Sequence, residues 1–196
     1  MAADATGITA ARITLVSGPA SSGKSVWAEH LAAASGLQVC YLATGPQLPD
    51  DPAWQARLLA HRQRRPRHWL CQDVALALPE ALQGIQSRQL ALVDSLGTWV
   101  ASGLDLEPDS WERHCQALQQ VLPTVAGPVI LVAEEIGWGV VPSTAAGGVF
   151  RERLGSLTQR LMPSCDAAWL VLHGRALDLM RHSVPVVDAG IAAGTC

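Results

Sequence analysis

The chain lacks a CxxC pair, a basic excess and any apolar run long enough to span a membrane. Its five cysteines stand at 40, 71, 115, 165 and 196, an odd number at wide spacing. That pattern suggests neither a disulfide framework nor a zinc site and reads as inert thiols in a reducing compartment. A formal net charge of −3 leaves no basic footprint for nucleic acid or an anionic membrane surface. The opening residues MAADATGITAA carry neither a basic segment nor a sustained apolar stretch, so they do not read as a signal peptide. No internal repeat or low-complexity tract interrupts the chain. With 49% hydrophobic and 16% charged residues over 196 positions, the composition argues against disorder and suits one domain spanning 1–196 with a full core. The expectation is a soluble, cytoplasmic protein with no nucleic-acid or membrane partner.

What is present is an alternation of short apolar strands and helical segments. Arg12–Ser17 (RITLVS) is a β-branched run that stops at Gly18, and an Ala-rich helix is predicted from about Lys24 to Ser35, ending before Gly36. A second strand is predicted at Gln38–Ala43, then a helix capped by Asp50 or Asp51 with Pro52 in its first turn. Further strands are expected at Leu90–Val93, Pro128–Ala133 and Ala167–Leu172, with helices near 73–86, 109–125 and 148–162. Phe150, Leu154, Leu157 and Leu161 recur at helical spacing and read as a core-facing stripe that Pro163 terminates. Such alternation predicts an α/β fold with a mostly parallel sheet covered on both faces. The segment beyond Gly174 carries no readable pattern.

Gly18-Pro19-Ala20-Ser21-Ser22-Gly23-Lys24-Ser25 matches GxxxxGK[ST] and lies between a predicted strand and a predicted helix. The glycines let the backbone curl so that successive N–H groups and the helix N-terminus face phosphate oxygens. Lys24 is then placed for the β- and γ-phosphates, and the Ser25 hydroxyl for Mg2+. Ala91-Leu92-Val93-Asp94 ends an apolar strand in a carboxylate, the second element of a Mg2+ site in such enzymes. The expected architecture is a three-layer, RecA-like P-loop NTPase fold. This loop serves kinases, GTPases, ATPases and transferases alike, so it names no reaction by itself.

The most charged stretch runs from Arg57 to Trp69, RLLAHRQRRPRHW. Arg57 and His61 are four residues apart and share a helical face, and Arg65 can return from the following turn. An imidazole among guanidiniums tends to stay neutral, which leaves it nucleophilic toward phosphorus while Arg57, Arg62 and Arg65 clamp phosphates. A solvated helix end is the competing reading of the same charges.

This segment resembles the R-[IL]-x-x-H-R-x-x-R-P-x-x-W signature of the adenosylcobinamide kinase/adenosylcobinamide-phosphate guanylyltransferase family. Blocks similar to that family recur in order: SGPASSGKS, YLAT, VDSLGTWV, AEEIGWGVVP, FRERLGSLTQRL and AAWLVLHG, from Arg12 to Gly174. The resemblance implies a homotrimeric cobalamin-biosynthesis enzyme whose His61 carries a covalent guanylyl group. It also implies two reactions, with ATP or GTP and Mg2+. In the first, adenosylcobinamide is phosphorylated. In the second, GMP from GTP passes through His61 to adenosylcobinamide phosphate, giving adenosylcobinamide-GDP and pyrophosphate. By match to the E-[VI]-G-x-G-[IV]-V-P block, Glu135 is a better candidate than Glu134 for metal, base or ribose contact, and the three roles stay open. Trp69, Trp99 and Trp138 fall in matched blocks and are candidates to border the corrinoid; His30, His68, His114, His173 and His182 read as surface or core residues. The sequence departs from the family at Pro19 and Ser21, where glycine and arginine are usual, removing a backbone donor and a charge. A monofunctional small-molecule kinase or a regulatory ATPase are the rival readings, and neither needs His61.

Overall fold

Ile13–Gly18 (ITLVSG) forms strand β1, buried along most of its length, and pairs in parallel with strands on both sides in a seven-stranded sheet. This is a computed structural model, and it describes residues 11–46, 50–139 and 142–186. The remaining strands are β2 Gln38–Ala43, β3 Leu70–Asp73, β4 Gln89–Asp94, β5 Val129–Glu134, β6 Ala167–Leu172 and β7 Arg175–Asp178. Their order is β3-β2-β4-β5-β1-β6-β7, and only the β6–β7 pairing is antiparallel. The helices are α1 Lys24–Ala34, α2 Pro52–Arg64, α3 Leu78–Gln83, α4 Leu96–Ser102, α5 Pro108–Val121, α6 Ala145–Leu161 and α7 Leu179–His182.

Successive residues of the central strands feed opposite cores, as the strand period of two requires. Leu15, Leu42, Val93 and Leu131 join one buried cluster with side chains of α3, α4, α5 and α6. Val16, Tyr41, Leu92 and Val132 join a second cluster with Ala28, Leu31 and Ala32 of α1. A sheet buried on both faces is the natural home of parallel strands that are apolar throughout. Leu154, Leu157 and Leu161 are buried as the stripe predicted, with Phe150 packed against them.

The boundaries differ from the sequence expectation at several points. The helix expected near 73–86 shrinks to Leu78–Gln83, because Leu70–Asp73 is drawn into the sheet beside β2 and Pro79 opens the helix. Strand β5 extends one residue further than expected, so Glu134 pairs with Gly18 instead of entering the loop. Trp69 and Trp99 are core residues at 6% and 0% exposure, whereas Trp138 is 64% exposed. Residues after Gly174 are not patternless: His173 and Gly174 have φ of 49° and 72°, and this two-residue turn folds β7 back on β6. Cys40, Cys115 and Cys165 are buried and Cys71 is exposed. Burial holds the thiols of Cys115 and Cys165 at about 11 and about 12, so neither is a ready nucleophile.

Candidate active site

The phosphate loop is shaped by contacts that its residue types dictate. Gly18 ends β1 against the carbonyl oxygen of Val171 and the hydroxyl of Ser22, and any side chain at 18 would overlap both. Ser21 and Gly23 adopt left-handed φ of 58° and 98°, which turns the loop before α1 begins at Lys24. Left-handed residues in such a turn help to make a concave row of N–H groups. Ser22 N–H donates to Pro19 O at 3.3 Å, and the Gly174 N–H donates to Ser22 O at 3.0 Å, so the β6–β7 turn ties down the loop. The Lys24 ammonium donates to Pro19 O at 3.4 Å and sits on the cavity wall.

Asp94 ends β4 opposite this loop. Its Oδ1 accepts from the Ser25 hydroxyl at 3.3 Å and its Oδ2 from the Tyr41 phenol at 2.7 Å. Desolvation of Tyr41, and then the Asp94 charge, drive the phenol's pKa upward, so the O–H stays protonated as the donor. The Arg65 guanidinium lies 3.3 Å from the centre of the Tyr41 ring. Its neighbour Arg64 makes a two-pronged ion pair with Glu29 of α1, at 2.6 and 2.8 Å, which fixes the end of α2 to the helix that follows the phosphate loop.

Ser95 caps α4 and forms a capping box with Thr98. The buried Thr44 hydroxyl donates to Ser95 O at 2.5 Å, joining the end of β2 to this cap. Glu134 completes the arrangement, its Oε1 accepting from the Ser95 hydroxyl at 2.7 Å and its Oε2 from the Gly97 N–H at 2.9 Å. The Glu135 carboxylate accepts the Gly137 N–H at 2.7 Å and faces a separate hollow of about 380 Å³ beside α6. Glu134 borders both hollows. The six-residue β5 puts residue 134 in register with Gly18.

One cavity of about 460 Å³ gathers these groups: residues 20–25 of the phosphate loop, Tyr41, Asp94, Glu134 and, from the α2 side, Leu58, Arg64 and Arg65. The side chains of Arg57, His61 and Arg62 lie outside the described residues. Their backbone belongs to α2, and at roughly 100° per residue position 61 falls between the cavity-lining positions 58 and 64 on that helix. The hard oxygens of Ser25, Asp94 and Glu134 in the lining of this cavity suit Mg2+, which completes its octahedron with water and phosphate rather than with an all-protein cage.

The family model described as cobinamide kinase / cobinamide phosphate guanyltransferase matches residues 14–179. The chain belongs to this family. It is similar to the bifunctional adenosylcobalamin biosynthesis protein CobP of Pseudomonas aeruginosa, at 35% identity over 167 residues, covering 84% of this chain and 95% of that protein. It is also similar to the protein of the same description, CobU, of Escherichia coli, at 34% identity over 175 residues, covering 82% and 95%. Among solved structures, an ATPase from the type III secretion system of pathogenic bacteria aligns with TM-score 0.51 and 11% identity, over 89% of this chain and 59% of that one. A Pyrococcus horikoshii OT3 protein aligns with TM-score 0.52 and 6% identity, over 86% and 85%. These distant likenesses speak to the fold, a RecA-like P-loop NTPase architecture. The family match spans β1 to the first residue of α7, so the β6–β7 turn that touches the phosphate loop falls within it.

Proposed function

We propose that this chain phosphorylates adenosylcobinamide and then transfers GMP from GTP to the phosphorylated product through His61. The observation that carries the reading is the meeting of the phosphate loop, Asp94 and the α2 residues Leu58 and Arg64 around one cavity, with position 61 on the same side of that helix. The family description, cobinamide kinase / cobinamide phosphate guanyltransferase, names the two reactions, and the relatives are called bifunctional.

In the first reaction the arm hydroxyl of adenosylcobinamide attacks the γ-phosphorus of ATP or GTP, its proton is removed, and a nucleoside diphosphate leaves. Lys24 exchanges its contact with Pro19 O for the β- and γ-phosphates, and the loop N–H groups hold the remaining oxygens. In the second, an imidazole nitrogen of His61 attacks the α-phosphorus of GTP and pyrophosphate departs. The phosphate of adenosylcobinamide phosphate then displaces histidine from that phosphorus, forming the new P–O–P bond. Splitting one displacement into two lets a neutral imidazole expel pyrophosphate first, so the incoming phosphate meets a phosphorus already freed of the β- and γ-phosphate charge. Arg57, Arg62 and Arg65 neutralise the phosphates during both transfers. Ser25 and Asp94 would hold Mg2+, and Glu134 would orient its water. When bound, the ion offsets charge building on the transferred phosphoryl group. Glu135, facing the neighbouring hollow, is assigned instead to the acceptor side.

A cytoplasmic location and a homotrimer, implied by the family resemblance, belong to the same proposal, and sedimentation velocity reads out the trimer. The test of function is product formation with adenosylcobinamide, GTP and Mg2+. Wild type is expected to yield adenosylcobinamide-GDP, and His61→Ala to stop at adenosylcobinamide phosphate. Wild type that itself stops at adenosylcobinamide phosphate would reduce the chain to a kinase, and His61→Ala that still yields adenosylcobinamide-GDP would remove His61 from the transfer.

A further inference from the structure

Tyr41 is the only tyrosine of the chain, and it is buried at 1% exposure in the apolar cluster on the α1 side of the sheet. Its placement is hard to explain as packing alone. A phenol in that position carries a hydroxyl into the interior, which costs free energy unless the group is hydrogen-bonded. The hydroxyl is spent on Asp94 Oδ2, at 2.7 Å, on the opposite side of that carboxylate from Ser25, which donates to Oδ1. A carboxylate held from both oxygens cannot rotate freely about its terminal torsion, so its orientation toward the cavity is set before any ligand arrives.

The ring of the same residue has a second task. Arg65 Cζ stands 3.3 Å from the ring centroid, and Arg65 Nε is buried with no hydrogen-bond partner among the described residues. The guanidinium therefore rests on an aromatic face, a contact that leaves its Nε–H unspent. Both consequences are delivered to one cavity, since Tyr41, Arg65 and Asp94 all line it. Strand geometry makes the coupling possible: Tyr41 pairs with Leu92 across β2 and β4, two residues before Asp94, so its hydroxyl reaches forward to the strand end.

We propose that Tyr41 is a positioning residue with two separable functions, its hydroxyl orienting Asp94 toward the metal and its ring orienting Arg65 toward the nucleotide phosphates. This rests on the reading of the cavity as the GTP site. Neither function requires Tyr41 to touch substrate.

The two functions are separated by three variants measured for binding rather than turnover. Metal affinity is read from the electron paramagnetic resonance of Mn2+ added to the GTP complex, and GTP affinity from calorimetry in EDTA. Tyr41→Phe keeps the ring and loses the hydroxyl. It should weaken Mn2+ by about tenfold, the size expected for one hydrogen bond to a charged group, while leaving metal-free GTP affinity within about twofold. Arg65→Ala should do the reverse, with metal-free GTP weakened by about tenfold or more. Tyr41→Leu should show both defects. Rescue of metal-free GTP binding by phenylalanine but not by leucine would not follow from a loss of packing.

A measurement on the unsubstituted chain guards against a variant that fails to fold. With 3-fluorotyrosine incorporated, the protein gives a single fluorine resonance. That resonance should shift on adding GTP and shift again on adding Mg2+. Wild type that binds GTP and Mn2+, with Tyr41→Phe indistinguishable from it or a fluorine signal unmoved by Mg2+, would overturn the role of Tyr41 alone. Wild type that binds neither would overturn the nucleotide-site reading together with it.

Discussion

Glu134 closes over Gly97: its Oε2 accepts the Gly97 N–H at 2.9 Å, and a methyl group placed on Gly97 would overlap that oxygen. Because the obstacle is the far end of a side chain, Gly97→Ala can be accommodated if Glu134 swings away. Alanine also improves helix propensity by about 0.8–1 kcal/mol, which offsets part of the lost hydrogen bonding. The expected outcome is a variant of near-normal stability by urea unfolding but with transfer activity reduced by about tenfold or more. Glu134→Ala should show a similar defect, and the double variant should lose little more than either single change, as expected when two residues act through one geometry.

The β6–β7 turn should matter to nucleotide binding although it lies outside the phosphate motif. Gly174 has φ of 72° and its N–H donates to Ser22 O at 3.0 Å. Gly174→Ala places a Cβ in the left-handed region, at a cost of about 1–2 kcal/mol, and is predicted to lower the urea midpoint and raise KM for GTP. Gly155→Ala in α6 is the control, because that position is helical with open space around it. It should stabilise by about 0.8–1 kcal/mol.

Arg160 of α6 grips Glu112 of α5 through two contacts of 2.7 Å, and this pair joins two helices of the larger core. Hydrogen bonds from Arg160 and then Gln116 lower the Glu112 pKa from 4.5 to about 2. A depressed folded-state pKa stabilises the protein above the unfolded value, and that contribution disappears as pH falls from about 4.5 through about 2. The pair is solvent-accessible, with side chains 31% and 43% exposed, so its worth is at most about 1 kcal/mol. Glu112→Gln is therefore predicted to lower stability slightly at neutral pH and to flatten the acid limb of a stability–pH curve over that window.

Much of the site was legible in the sequence because its elements obey local rules. A β-branched run, a glycine loop and an Ala-rich helix fixed the place of Gly18–Ser25, and an apolar strand ending in a carboxylate fixed Asp94. What escaped were features decided by tertiary context. Strand β3 is exposed along its whole length, so it carries no hydrophobic alternation and is recognisable only by its pairing with β2. Helix α4 is seven residues long, too short for a periodic stripe, though Ser95 and Thr98 offered a capping signal. The β7 hairpin turns at His173-Gly174, both at positive φ, a pair outside the Asn-Gly and Asp-Gly signals by which such turns are read. The hydrogen bonds of Glu134 to Ser95 and Gly97 were likewise beyond local pattern, because they depend on one more residue joining the end of β5.

The central claim is that His61 forms a covalent bond to the α-phosphorus of GTP. The most direct measurement is incubation with Mg2+ and GTP labelled at the α-phosphate, denaturation in alkali, which preserves phosphorus–nitrogen bonds, and location of the label by peptide mass spectrometry. The account predicts a GMP adduct on His61 in wild type, none in His61→Ala, and its discharge by adenosylcobinamide phosphate. Folded wild type that binds GTP yet carries no label, or carries it equally in His61→Ala, would contradict the account.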